Sequence, residues 1–349
     1  MSISTLVTVL MPVFNGERYL ERAIQSILMQ SLKDFKFFII DDGSTDSSLE
    51  IINRYKEQDS RIQVLANSSN RGLIYTLNIG LDTIDTKYVA RMDCDDVAFP
   101  ARLEKQVRLM EASPSIGVCG TWITVKNTSD GSEYTQRYPT RHANIKLHML
   151  SYCAVAHPSV ILRKSFFEQY GLRYDPAFIH AEDYELWTRA IDKFEFANIA
   201  EPLLEYTTHP ENVSSKNEAI QLRAASKIRT EQAAKLICPK PKDETIITRL
   251  LTSGLPDALN QQEFMDASNL LERLLIANKK KKVYDMTLFD HFLFNTWYRM
   301  CRKCKIAEIS PMREFLNSKI SRQRGWFRFI YLSFNLSIKQ IKRKVRSTF

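Results

Sequence analysis

Short apolar runs alternate with segments of helical spacing over roughly the first hundred residues of this 349-residue chain. The runs are short, apolar and rich in β-branched or aromatic residues, which is typical of buried strands, and the segments between them are typical of amphipathic helices. The predicted strands are Leu6–Val13, Phe35–Ile40, Ile62–Leu65 and Tyr88–Met92, and the predicted helices are Glu17–Gln30, Ser47–Asp59 and Leu73–Asp82. This alternation predicts an α/β fold in which right-handed crossovers wind a mostly parallel sheet.

The pattern changes after about residue 100. A turn at Asp130-Gly131 separates two predicted strands, and most later segments have the pattern of helices. The predicted strands are Val118–Val125 and Tyr134–Tyr138, and the predicted helices are Asn144–Leu150, Tyr184–Phe194, Gln221–Leu236, Asp243–Thr252, Gln261–Ala277 and Met286–Lys305. We therefore expect a first domain over residues 1–215, a helical C-terminal region over 216–314 and a basic aromatic tail over 315–349.

Polar residues cluster where three of the predicted strands end, at Phe14-Asn15-Gly16, at Asp41 to Asp46 and at Asp93 to Asp96. On a wound parallel sheet, ligands bind beyond the carboxyl ends of the strands. We therefore expect the three clusters to converge on one site.

The segment Asp93-Cys94-Asp95-Asp96 holds three carboxylates within four residues. Packing their charges together is unfavourable unless a cation offsets them. Hard oxygen ligands suit Mg²⁺ or Mn²⁺, which keep waters and bridge substrate phosphates. The alternative is a solvated acidic turn, and the position at the end of an apolar strand favours the metal site.

Carboxylates at two other positions, Asp42 and Glu182-Asp183, suggest roles in ligand binding and in catalysis. Asp42 follows a buried strand and is suited to accept a hydrogen bond from a base or ribose, while Ser44 or Asp46 is suited to cap the next helix. Glu182-Asp183 begins a predicted helix, where an ionised carboxylate is stabilised, so it suits a general base, with N-terminal capping as the alternative. The chain has neither G-x-G-x-x-G nor G-x-x-x-x-G-K-[ST], so a nucleotide site here must use carboxylates and a metal.

The net charge of +9 belongs to the tail. Residues 315–349 contain nine basic and no acidic residues, so the other basic and acidic residues balance. A neutral body argues against a nucleic-acid partner. The aromatic segment 326–338 and its basic flanks, over 322–346, suit peripheral contact with an anionic membrane surface, and a helix packed on the body is the alternative.

No basic segment precedes an apolar run at the start of the chain, and no stretch of about 18 uninterrupted apolar residues occurs. We therefore expect neither a secretory signal nor a spanning helix, and we expect a cytoplasmic protein. Cys301 and Cys304 have a C-x-x-C spacing, but no second pair completes a zinc site.

Seven segments in order resemble glycosyltransferase family 2, over about residues 5–215. They are Pro12-Val13-Phe14-Asn15-Gly16, Asp41 to Asp46, Asn70-Arg71-Gly72, Ala90 to Asp96, Pro100-Ala101-Arg102-Leu103, His157-Pro158-Ser159 and Glu182 to Trp187. The resemblance implies a GT-A fold and an inverting mechanism.

The resemblance also implies roles for single residues. Phe14 and Asp42 would hold the nucleotide base, Asp93 would lie near the donor sugar, Asp95 would bind the metal and Asp183 would act as the base. The other donor-binding residues implied are Pro12, Glu17, Asn70 and Arg91. The family's Tyr-Arg-x-His becomes Tyr206-Thr207-Thr208-His209, in which His209 is either a ligand of the metal or diphosphate or a plain surface residue. We interpret Cys94 as a spacer.

The expected function is transfer of a sugar from a nucleotide-diphosphate sugar, with a UDP-sugar favoured, to a glycan or lipid-linked glycan of a cell-surface polysaccharide or glycolipid. Mn²⁺ or Mg²⁺ would assist departure of the diphosphate. A nucleotidyltransferase would need a glycine-rich basic loop after the first strand, where Phe14-Asn15-Gly16-Glu17 stands. A non-catalytic carbohydrate-binding protein would be expected to lose the carboxylates, and all of them are present.

Overall fold

The computed structural model describes residues 5–209, 217–251, 259–304 and 310–322. The chain divides between Ile228 and Arg229 into two compact units. The predicted boundary near residue 215 lies outside the described residues and stays a prediction. The same holds for the tail beyond residue 322, for its contact with a membrane and for the cytoplasmic location.

One sheet runs through the first unit. Its strands within the described residues are β1 (Val7–Val13), β2 (Lys36–Asp41), β3 (Ile62–Ala66), β4 (Tyr88–Arg91), β5 (Val97–Ala98), β6 (Ile116–Asn127), β7 (Glu133–Gln136), β8 (Ile161–Arg163) and β9 (Glu195–Thr208). Strands β3, β2, β1 and β4 lie side by side in that order and are all parallel. The predicted parallel arrangement of these four strands and the α/β class are therefore confirmed.

The rest of the sheet is mixed and continues in the order β8, β6, β9 and β5, with β7 paired to β6. Strand β8 is antiparallel to β4 and β6, whereas β9 is parallel to β6. The sequence pattern missed β9, because Pro202 and several charged residues break its alternation. The register with β6 shifts where Trp122 lies opposite Pro202, which is consistent with a bulge at a residue that lacks an N–H donor.

Helices cover both faces of the sheet. In the first unit they are α1 (Glu17–Leu28), α2 (Ser48–Gln58), α3 (Leu73–Thr83), α4 (Arg102–Ala112), α5 (His142–His148), α6 (Lys164–Gln169) and α7 (Glu182–Ala190). Because successive side chains of a strand point to opposite faces, Val9 and Met11 pack in the cluster that contains α1 and α4, whereas Leu10 packs with α3 and α7. The helix predicted to reach Phe194 ends at Ala190, because the chain turns there into β9.

The described part of the second unit is helical. Helix α8 (Glu218–Ala234) leads into it, and α9 (Pro241–Leu251), α10 (Gln261–Lys281), α11 (Met286–Lys303), α12 (Pro311–Asn317) and α13 (Lys319–Arg322) follow. Helix α10 begins with a capping box between Asn260 and Glu263. The buried Asp243 forms an ion pair with Arg273, in which Oδ2 of Asp243 lies 2.8 Å from Nη1 of Arg273. The helical C-terminal region is therefore confirmed, and no described helix has both the length and the apolar character needed to cross a bilayer.

The turn after β2 requires glycine at position 43. Gly43 has a φ of +70°, and a Cβ atom there would lie 2.5 Å from the carbonyl carbon of Ser69. Left-handed backbone is unfavourable for other residues, and the contact with Ser69 is to backbone, which cannot rotate away. The loops that follow β2 and β3 therefore touch through their backbones at this glycine.

We expect Gly43→Ala to destabilise the first unit more than Gly131→Ala does. Gly131 has a φ of +71° with no neighbour within 4 Å of its Cβ position, so its variant bears only the left-handed strain of about 1 kcal/mol. Gly43→Ala adds overpacking, which costs about 1–3 kcal/mol more. Urea denaturation followed by tryptophan fluorescence measures both, and equal losses in the two variants would contradict the assigned contact.

Candidate active site

The loops that follow β1 and β2 bind each other reciprocally. Asn15, which has a φ of +50°, accepts a 2.8 Å hydrogen bond from the Thr45 N–H through Oδ1, and its own N–H donates to Ser44 Oγ. Glu17 accepts from the Ser47 N–H at 3.0 Å through Oε2. Phe14 stays 45% exposed beside these contacts. The loops therefore form one rigid edge, in which the Glu17 carboxylate joins the start of α1 to the start of α2.

The carboxylate of Asp42 organises the neighbouring loop. Asp42 is buried and accepts from Asn67 Nδ2 at 2.7 Å and from the N–H groups of Arg71 and Gly72 at 3.0 and 2.8 Å. Asn70 Oδ1 also accepts from the Gly72 N–H. A carboxylate offers about four acceptor positions, so these bonds leave room for about one donor from a ligand.

Two other predicted residues on this edge have structural contacts. Asp46 Oδ1 accepts from the N–H of Ser48, the first residue of α2. The N-cap residue is Ser47, which forms no side-chain cap, so the predicted capping by Ser44 or Asp46 is wrong. Pro12 is buried in β1 opposite Ile40 of β2, so its side chain forms part of the sheet below the edge.

The carboxylates of Asp93, Asp95 and Asp96 offer ligand atoms that lie within 4.8 Å of one another. Asp96 is fully buried, its Oδ1 accepts from the Thr207 N–H at 2.9 Å, and its Oδ2 has no hydrogen-bond partner among the described residues. Burial and then the charges of Asp95 and Asp93 raise the pKa of Asp96 well above its usual range. Three hard oxygen donors and an orphaned carboxylate oxygen fit a divalent cation.

His209 lies against the same cluster. Its Nε2 is 3.2 Å from Asp95 Oδ2, and its ring stacks on Tyr19 at 4.7 Å between centroids. His209 follows β9, and β9 also supplies the Thr207 N–H that binds Asp96. The strand that the sequence pattern missed therefore brings His209 to the carboxylates, where it is not a plain surface residue.

Arg91 is the buried cation of the site. Its Nη1 donates to Asp93 Oδ2 at 2.5 Å, and its Nη2 pairs with the other oxygen of the same carboxylate. The positive charge of Arg91 also lowers the pKa values of Asp96, Glu182 and Asp183, which burial raises. The guanidinium therefore pairs with Asp93 after β4, and its charge also acts on the carboxylates at the start of α7.

Arg102 holds the backbone beneath Arg91. Its fully buried guanidinium donates to the Arg91 carbonyl at 2.5 Å and to the Val160 carbonyl at 3.4 Å. Gln106, one turn further along α4, donates to the carbonyls of Cys119 and Ser159. The sequence motif contained Arg102 without indicating a role, because nothing in the spacing shows that a charged residue is buried.

Cys94 packs beneath the loop that follows β1. A Cβ atom at Gly16 would lie 3.0 Å from Cys94 Sγ, so the two loops are in close contact. Burial and then the charges of Asp95 and Asp93 raise the pKa of the Cys94 thiol well above its usual range. The thiol is therefore neutral and unsuited to be a nucleophile, as expected of a spacer.

Glu182 and Asp183 occupy the first turn of α7, after an N-cap residue, Ala181, that forms no side-chain cap. Asp183 Oδ1 accepts from the Tyr184 N–H at 2.7 Å, and the Cys153 thiol donates to Oδ2 at 3.4 Å. Burial raises the pKa of Asp183, while these two donors and the charge of Arg91 lower it. Burial and then the charge of Asp183 raise the pKa of Glu182 to about 7.

The predicted convergence of the three strand-end clusters is confirmed. The loop after β1 contacts the loop after β2 through Asn15 and the segment after β4 through Gly16. Sequence reasoning missed Cys153, which lies in an irregular segment that no periodic pattern marks. It also missed the buried pair of His157 and Tyr174, whose Nε2 and hydroxyl lie 2.8 Å apart.

Comparison with known proteins finds relatives that all have the same kind of description. A family model described as glycosyl transferase family 2 matches residues 8–171. An uncharacterized glycosyltransferase of Haemophilus influenzae is 32% identical over 234 residues, which cover 65% of this chain and 72% of that protein. The O-antigen biosynthesis glycosyltransferase WbnJ of Escherichia coli is 30% identical over 223 residues, which cover 62% of this chain and 85% of WbnJ.

Two solved structures share the fold. TarS 1–349 of S. aureus, in complex with UDP-GlcNAc, matches with a TM-score of 0.55 at 16% identity, over 83% of this chain and 88% of that one. The mannosyltransferase PcManGT from Pyrobaculum calidifontis, in complex with GDP-Man and Mn²⁺, matches with a TM-score of 0.50 at 15% identity, over 90% and 84%. The GT-A fold expected from the motifs is therefore confirmed.

We expect Glu182 to make the free energy of unfolding fall as the pH rises from about 4.5 to about 7. Its pKa is about 7 in the folded protein against an ordinary 4.5, so the folded state keeps a proton that the unfolded chain releases. Glu182→Gln removes this contribution, and the stability difference between wild type and variant should change by about 1–3 kcal/mol over that interval.

Urea denaturation of the metal-free protein at about pH 5 and about pH 8 measures the effect. Glu133→Gln, which changes an exposed residue of β7, is the matched control and should keep the wild-type pH dependence. Parallel pH dependences for wild type and Glu182→Gln would show that the Glu182 carboxyl titrates normally.

Proposed function

The chain belongs to glycosyltransferase family 2, and from this premise we propose that it moves a sugar from a nucleotide-diphosphate sugar to a hydroxyl group of a glycan or lipid-linked glycan. One observation carries the proposal. The buried guanidinium of Arg91 pairs with Asp93 in the carboxylate cluster Asp93 to Asp96, and its charge lowers the pKa values of Glu182 and Asp183 at the start of α7. A cation-binding cluster beside a base is the arrangement that this transfer requires.

The donor would lie across the edge formed by the loops after β1, β2 and β4. Phe14 offers an exposed ring to the nucleotide base, and Asp42 keeps acceptor capacity for it. Glu17 supports the donor site through its bond to the Ser47 N–H of the neighbouring loop, and Asn70 through its bond to the Gly72 N–H within its own loop. The complex of TarS with UDP-GlcNAc supports a UDP-sugar as donor.

Asp95 and His209 would hold Mn²⁺ or Mg²⁺, with Asp96 buried behind them. When bound, the ion supplies positive charge to the departing diphosphate. The carboxylate oxygens suit a hard cation, and the complex of PcManGT with Mn²⁺ supports this assignment. Arg91 would keep the Asp93 carboxylate oriented towards the donor sugar.

Asp183 would act as general base in an inverting displacement. It takes the proton of the acceptor hydroxyl while the acceptor oxygen bonds the anomeric carbon and the bond from that carbon to the diphosphate oxygen breaks. The Tyr184 N–H and the Cys153 thiol hold the two carboxylate oxygens. Burial raises the pKa of Asp183, which strengthens it as a base near neutral pH. The similarity to WbnJ supports a cell-surface polysaccharide as acceptor.

We expect a panel of nucleotide sugars to contain a donor whose hydrolysis requires a divalent cation. EDTA should abolish hydrolysis and Mn²⁺ should restore it, and Asp95→Ala should lower the rate by about 100-fold or more, since the cation supplies several kcal/mol. Asp130→Ala, which removes an exposed carboxylate between β6 and β7, is the matched control. The absence of turnover across the panel, or full activity of Asp95→Ala without metal, would refute the proposal.

We expect Asp183→Asn to lower donor hydrolysis by about 10²–10⁴-fold, because an amide cannot accept the proton from water or acceptor. Calorimetry should show unchanged affinity for the nucleotide, since we assign the nucleotide base to Phe14 and Asp42 and not to Asp183. Glu182→Gln keeps the base and should shift the acidic limb of the kcat/KM profile to lower pH, because a neighbouring negative charge is removed. Wild-type hydrolysis by Asp183→Asn would assign the base elsewhere.

A further inference from the structure

A contact between the rings of Tyr19 and His209 has no part in the mechanism above. The ring centroids lie 4.7 Å apart and the ring planes are inclined by 21°, so the two rings are stacked. The side chain of His209 is only 8% exposed, and its Nε2 lies 3.2 Å from Asp95 Oδ2. Tyr19 therefore covers one face of the imidazole whose Nε2 lies against the carboxylate cluster.

Hydrogen bonds of β9 fix the backbone that precedes His209. The Thr207 N–H donates to Asp96 Oδ1 at 2.9 Å, and the Thr208 carbonyl accepts from the Thr128 N–H at 3.0 Å. These bonds do not set the plane of the imidazole, because the torsion that turns a histidine ring is broad and roughly two-fold. A neighbouring group must hold the ring if one of its nitrogens is to point at a metal ion.

Tyr19 extends from a rigid part of the first unit. It is the third residue of α1, and its N–H donates to the Gly16 carbonyl at 2.9 Å. The Gly16 N–H donates to Ser48 Oγ at 2.9 Å, and the Glu17 N–H donates to Asp46 Oδ2 at 3.0 Å. The first turn of α1 is therefore fixed by bonds to the loop and helix after β2, as a group that orients a ligand requires.

The face of the Tyr19 ring makes the contact, and its hydroxyl does not. The hydroxyl oxygen is buried and has no hydrogen-bond partner within the part of the chain that the structure describes. A buried hydroxyl without a partner lowers stability, whereas stacked aromatic rings attract each other beyond the effect of area burial. The contribution of this side chain to the site therefore comes from its ring.

We propose that Tyr19 is a positioning residue of the metal site. It stacks on the His209 imidazole and holds Nε2 against Asp95, where an ion that Asp95 binds can reach it. This inference rests on the proposed function, because it takes the carboxylate cluster to hold Mn²⁺ or Mg²⁺. It gives α1 a second role besides its part in the donor edge, which is to orient a ligand that the mixed half of the sheet supplies.

Binding of Mn²⁺ to the full chain, alone and with UDP, tests this role, because Mn²⁺ is paramagnetic. The EPR signal of the free ion gives the affinity, and pulsed EPR detects a nitrogen ligand through its nuclear coupling. Tyr19→Leu keeps an apolar side chain but loses the stack. It should bind Mn²⁺ about 3- to 10-fold more weakly and show a weaker nitrogen coupling. Tyr19→Phe keeps the stack and should keep most of the affinity and of the coupling.

A double-mutant cycle shows whether Tyr19 acts through His209. His209→Ala should abolish the nitrogen coupling, and in that background Tyr19→Leu should cause no further loss of Mn²⁺ affinity. Tyr55→Leu is the matched control, since Tyr55 is a tyrosine of α2 whose hydroxyl accepts from Gln25 of α1 at 2.7 Å. It should lower stability in urea and bind Mn²⁺ as the wild type does.

Three results would overturn the inference. They are wild-type Mn²⁺ affinity in Tyr19→Leu, an equal loss of affinity in Tyr19→Phe, and a loss from Tyr19→Leu that persists in full when His209 is replaced. The first would show that the stack does not orient the ligand, the second that the hydroxyl carries the effect, and the third that Tyr19 acts on the site by another route.

The outcomes also separate this inference from the proposed function. If the wild type hydrolyses a donor with Mn²⁺ but shows no nitrogen coupling, the role of Tyr19 is refuted and the transferase proposal stands. If Mn²⁺ binds with a nitrogen coupling that depends on Tyr19 but no nucleotide sugar reacts, the transferase proposal is refuted and the metal site that Tyr19 positions remains.

Discussion

The buried guanidinium of Arg91 pairs with Asp93 beyond β4, and its charge lowers the pKa values of Asp96 and of the two carboxylates at the start of α7. Taking several carboxylates out of water is unfavourable, and the positive charges of Arg91 and of Arg102 behind it offset only part of that cost. Arg102 fixes the carbonyl of Arg91 and with it the position of the Arg91 charge. The remaining excess of negative charge is the physical reason that the site is suited to bind a divalent cation.

The two halves of the sheet contribute different parts of the candidate site. The parallel half ends in the loops that contain Phe14, Asp42 and Asp95, which we assign to the donor and its metal. The mixed half brings the end of β9 to Asp95 and Asp96, and the segment around Cys153 against Asp183. Family membership and the GT-A fold follow from the comparisons, whereas the roles of these residues are our proposals.

Much of the parallel half could be predicted from the sequence, because buried strands and amphipathic helices leave a periodic pattern. The strand-end residues could be found because they interrupt that pattern with several carboxylates. Strand β9 could not be predicted, because Pro202 and the charged residues of the strand give it a sequence pattern typical of a loop. The roles of Arg102 and Cys153 could not be predicted for a different reason. The spacing of residues along the chain does not show that the Arg102 side chain is buried, or that Cys153 contacts a residue about 30 positions away.

The end of β9 has a consequence for how this protein can evolve. The Thr207 N–H binds Asp96, and the His209 ring contacts Asp95. Since neighbouring residues of a strand face opposite sides, an insertion or deletion of one residue here would reverse every side chain at once. Descendants of this sequence therefore cannot change the length of this segment without moving both the Thr207 N–H away from Asp96 and the His209 ring away from Asp95.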